Sequence, residues 1–85
     1  MARMTYQWST DTQQGVVTIH TGAMQGDYPI NAATPVINGV ISLTQHETSS
    51  NEALTHTFSL RDSLPGLGEH LRQARLAQNQ HDNSP

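Results

Sequence analysis

Five histidines, His20, His46, His56, His70 and His81, are the side chains best suited to chemistry in this chain. A neutral imidazole can ligate a metal or move a proton near neutral pH. Their spacing argues against a shared ion, because no HxxxH or HxH pair occurs. His46 and His56 fall on opposite arms of one predicted hairpin. Mirror pairing about its turn sets His46 near Ala53 and His56 near Leu43, too far apart along the ladder for metal bonds of about 2 Å. The strand phase of His56 points it inward, where a neutral imidazole with one hydrogen bond is expected.

Other catalytic patterns fare no better. No G-x-S-x-G elbow is present. Asp62 and Ser63 stand at a helix entrance, where capping accounts for both. Asp11, Asp27, Glu47 and Glu52 fall in predicted turns as solvated acids. Gly66-Leu67-Gly68 matches only a fragment of the dinucleotide fingerprint. No catalytic, cofactor-binding or metal residue is therefore assigned. Trp8, Tyr28 and Leu76 are the candidate interface residues. Tryptophan is enriched at interfaces, Tyr28 sits in an irregular stretch that it can also anchor to the core, and Leu76 falls nearly opposite a helical apolar stripe.

Composition narrows the function classes. The chain has 85 residues, which sets one domain, and a net charge of −3. Its four basic residues are all arginines (Arg3, Arg61, Arg72 and Arg75) against seven carboxylates. That is a poor footprint for nucleic acid, which calls for a basic patch. With no lysine, Schiff-base chemistry is excluded. With no cysteine, disulfides and thiolate nucleophiles are excluded too, which favours a reducing, cytoplasmic setting. No apolar run suits a signal peptide or a membrane span.

The elements that must position these residues follow from periodicity. Met4–Ser9 alternates, with Tyr6 and Trp8 on one face. Residues 11–15 read as a turn in which Gly15 supplies a positive φ where one is needed. Residues 16–21 form a second strand with Val17 and Ile19 on one face. The 22–35 loop is punctuated by glycine and proline and has room for a short edge strand at 27–31. Residues 36–45 are strongly β. Asn38-Gly39 within them reads as a two-residue hairpin turn or, preferred because one arm would be very short, as a kink in one long strand. A polar turn at 46–52 leads to a strand at 53–60, with Ile41 opposite Phe58 and Leu43 opposite His56.

Residues 63–78 read as a helix, capped by Asp62 or Ser63, with Pro65 in its first turn and an apolar stripe of Leu64, Leu67, Leu71 and Ala74. The stripe is expected to face Ile41, Leu43, Phe58 and Leu60. Residues 79–85 read as a disordered tail beyond a single domain at 1–78.

These features predict an α+β fold, a small antiparallel sheet of three to five strands with one C-terminal helix on a face. The function expected of it is that of a small non-enzymatic protein-interaction or regulatory module of bacterial or phage type. It would act through a protein partner or as a homodimer, without nucleic acid, membrane, metal or cofactor. The alternative is a small-molecule or metal-binding protein that uses the 22–35 loop with His20 and His56. A third is an enzyme whose site is assembled only in an oligomer.

Overall fold

The computed structural model describes residues 3–46 and 53–82. The fold is α+β. Its strands divide between two three-stranded antiparallel sheets, where one sheet was expected, and a C-terminal helix follows.

The first sheet holds β1 (Met4–Ser9), β2 (Gln14–Ile19) and β3 (Gly26–Asn31), with β2 in the middle. Alternation forms it: Val17, Ile19, Tyr28 and Ile30 are buried, while their neighbours along each strand are more exposed. The expected edge strand is present as β3, and Pro29 sits in it at an edge, where proline is tolerated. The β1–β2 turn differs from expectation. Gln13 takes the positive φ of 57°, and its amide donates to the Ser9 carbonyl at 2.9 Å. Gly15 already lies in β2, opposite Trp8. It is needed there for space, since a Cβ would meet the Trp8 ring at 2.7 Å and collide with the Gln7 carbonyl oxygen.

The second sheet holds β4 (Val36–Ile37), β5 (Val40–His46) and β6 (Ala53–Ser59), with β5 in the middle. Asn38-Gly39 is a hairpin turn and not the preferred kinked strand. Both residues have positive φ, 54° and 77°, and Ile37 pairs with Val40 across them. Two consecutive positive φ values define the tight turn that Asn-Gly favours, and its twist matches the flanking strands even when one arm is two residues long. The β5–β6 register is the expected one: Ile41 opposite Phe58, Leu43 opposite His56, and His46 opposite Ala53. The connection at 47–52 lies outside the described residues.

The helix forms in two steps, and its long part begins later than expected. A single turn, α1 (Leu60–Ser63), is capped by Ser59, whose hydroxyl accepts from the Asp62 amide. The chain then breaks at 64–66, where Gly66 takes φ +92°, and α2 (Leu67–Asp82) follows. Pro65 therefore lies in the break and not in the first turn of the long helix. A Cβ on Gly66 would meet the Tyr6 hydroxyl at 2.7 Å, so the break also lets β1 approach. The helix runs four residues past the expected end at Gln78. Of the expected tail, 79–82 are helical and 83–85 lie outside the described residues.

One core unites the parts. Leu64, Leu67 and Leu71 join Val17, Ile19, Ile30, Ile41 and Leu43 in a single buried cluster, drawing on both sheets. The expected stripe is buried throughout, Ala74 included. Arg75 adds a polar tie from α2 to the β3–β4 connection. Its Nε donates to the Ala32 carbonyl at 3.1 Å and its Nη2 to the Thr34 carbonyl at 2.7 Å.

Candidate functional site

Among the described residues, the outer margin of the second sheet is a strand edge, that of β6. Backbone direction is fixed there by two hydrogen bonds. The Leu60 amide donates to Gly39 at 2.8 Å, and the Ser42 amide donates to Pro35 at 3.1 Å. In an antiparallel ladder, successive residues aim their N–H and C=O groups to alternate sides. Leu54, His56 and Phe58 therefore bond to β5, while Thr55 and Thr57 aim theirs away from it. Among the described residues β5 is the only strand paired with β6, so the Thr55 and Thr57 groups form an open edge. No charged residue and no proline interrupts β6, and these are the devices that commonly blunt an exposed edge.

Apolar side chains flank this edge. Leu54 is 41% exposed although its strand phase is inward; it pairs with Gln45, beyond the buried Ile41 and Leu43 of β5. His56 and Phe58, in the same row, are half-buried. Ile37, 73% exposed, lies away from this edge, on β4 at the other margin of the sheet.

A second cluster sits between β1 and α2. The His70 imidazole stacks on Trp8, with centroids 5.8 Å apart and planes at 19°, and meets the edge of Tyr6 at 6.1 Å. Edge-to-face and stacked pairs of this kind hold rings in fixed mutual orientation. The aromatic row of β1 is legible in the sequence, but the packing of His70 on it is not. The available signal was its position three residues after Leu67, beside the apolar stripe.

The sequence-predicted residues separate. Trp8 is half-buried against His70. Leu76 is 43% exposed on α2. Tyr28 differs from the expected interface residue: it is 7% exposed and donates its hydroxyl to the Met24 carbonyl at 2.6 Å, so it packs in the core and presents little surface. Burial also pushes the Tyr28 phenol up from its ordinary pKa. His20 follows the first sheet and shares a 2.7 Å hydrogen bond with Thr5, whereas His56 belongs to the second sheet. The Nε2 atom of His56 is buried without a partner, in place of a hydrogen bond at that atom. Among the described residues, no three His, Cys, Asp or Glu side chains are grouped so as to hold a metal ion.

The surface hollows are open. One of about 430 Å³ lies against the outward face of the first sheet, between Gln7, Ser9, Val16 and Pro29. Another of about 410 Å³ lies between α2 and the β3–β4 turn. On α2, Arg72 Nη2 pairs with Glu69 at 2.9 Å, and with both side chains well exposed this holds the Glu69 carboxyl down at about 2. No helix among the described residues is long and apolar enough to cross a membrane. In comparison with known proteins, the chain matches no family model, no curated protein and no solved structure.

Proposed function

We propose that the chain is a small non-enzymatic protein-interaction module, working through the open edge of β6 and the apolar side chains beside it. The observation that carries this reading is the combination of an uncharged seven-residue edge strand with an exposed leucine in its inward row. Added strands gain affinity from such an edge through main-chain hydrogen bonds, and gain specificity from the alternate side chains. The cysteine-free composition supports work in a reducing, cytoplasmic compartment.

Site-specific photo-cross-linking in the native host tests the reading. A benzophenone amino acid is placed at position 54, with a control at exposed position 73 on α2. The expected result is a discrete protein adduct at position 54, to this chain or another, that is absent at 73. No adduct at 54, or the same adducts at both positions, would contradict it.

A further inference from the structure

We propose that β6 pairs antiparallel with β6 of a second copy, about a two-fold axis through His56, joining two three-stranded sheets into one of six strands. This rests on the reading of the chain as an interaction module and names its partner.

The strand is nearly a palindrome. It reads Ala-Leu-Thr-His-Thr-Phe-Ser from residue 53 to 59. Folded onto itself about His56, it sets Ala53 against Ser59, Leu54 against Phe58 and Thr55 against Thr57. Every pair matches in size class, Leu54 with Phe58 and Thr55 with Thr57 match in polarity as well, and no Asp, Glu, Lys or Arg enters the seam. A two-fold dimer needs this property, because each side offers the same patch to itself.

The backbone agrees with that axis. Thr55 and Thr57 carry the outward N–H and C=O groups, so Thr55 of one copy and Thr57 of the other become hydrogen-bonded pairs. His56 then sits in the alternate kind of pair, where side chains approach most closely. Its neighbours in the row, Leu54 and Phe58, come together across the seam. Leu54 is 41% exposed and Phe58 half-buried in the single chain, so the seam covers the apolar surface left open at the end of this sheet. Threonine faces threonine on the opposite side, a favourable cross-strand pair.

The other edges fit self-pairing less well. β3 carries Asp27 and Pro29, and β4 is two residues long. β1 is uncharged, but its Tyr6 and Trp8 row is already closed by His70. A seven-residue seam is about 24 Å long and gives an interface at the small end of specific complexes, so association rises with concentration.

Sedimentation and cysteine trapping test the pairing. The full chain, 9.3 kDa as a monomer, is expected to approach twice that mass as concentration rises. Thr57→Pro removes only an outward N–H, so it should keep the parent circular dichroism and remain a monomer. Should it fail to fold, Thr55→Lys with Thr57→Lys replaces it, setting like charges across the seam. The chain has no native cysteine, so His56→Cys should form a self-disulfide on mild oxidation, while Leu54→Cys, which faces Phe58 of the copy, should not. A parent chain that stays monomeric at every concentration overturns the pairing, as does a dimer indifferent to the folded edge variant or trapping equal at 54 and 56. A position-54 photo-adduct to a different protein would then still uphold the module reading, so the two claims fail separately.

Discussion

The hydroxyl of Tyr28 and the carbonyl of Met24 satisfy each other inside the core at 2.6 Å. Replacing Tyr28 by Phe keeps the ring and leaves that buried carbonyl short of its donor, which costs about 1–2 kcal/mol. Urea unfolding measures this, and an unchanged midpoint would contradict the bond. Glu69 accepts from Arg72 and Gln73 on the solvent face of α2, and its carboxyl titrates at about 2 against an ordinary 4.5. The depressed value means the pair stabilises fully above 4.5 and is lost as pH falls toward 2. Exposure and salt keep the effect small. Glu69→Gln is expected to flatten the stability profile slightly in that window at low salt, and an unaltered profile would contradict the pairing. Residue roles were only partly legible. Tyr28 reads in the sequence as an interface residue or a core anchor, and burial decides for the anchor. The His70 stack depends on how α2 lies across β1, a long-range fact that local spacing does not contain.

Among the elements, those governed by a strict period were legible and those governed by a single backbone angle were not. The β5–β6 register follows from two alternating rows that must share one face, since a one-residue slip would turn Ile41 and Leu43 to solvent. The helical stripe from Leu64 to Ala74 follows from its spacing of three and four. By contrast, the hairpin at Asn38-Gly39 rests on two positive φ values, and the delayed start of α2 rests on the left-handed Gly66. Gly15 reads as turn chemistry in the sequence and acts as a gap in the structure, because the Trp8 ring and the Gln7 carbonyl occupy the space of its missing side chain. Gly15→Ala is therefore expected to destabilise by about 1–3 kcal/mol through overpacking. Thermal unfolding followed by the fluorescence of the only tryptophan, Trp8, checks it. An unchanged or raised melting temperature would contradict the close approach.

At the scale of the molecule, two three-stranded sheets and one long helix share a core, and the sheet that ends in β6 is left with an open edge. The sequence sets one helix on one face of a sheet, which leaves part of the sheet uncovered. It does not locate that part at β6, because the inward phase of Leu54 reads as burial and only the structure shows the side chain exposed. The central claim, that this edge is the working surface, is tested most directly by residue-resolved amide hydrogen exchange as chain concentration rises. In the lone chain, the His56 and Phe58 amides bond to β5 and should exchange slowly, while those of Thr55 and Thr57 face solvent and should exchange fast. Association at the edge should slow Thr55 and Thr57 while the amides of the exposed face of α2 remain unchanged. Thr55 and Thr57 amides that stay fast at every concentration and in host extract would contradict the account.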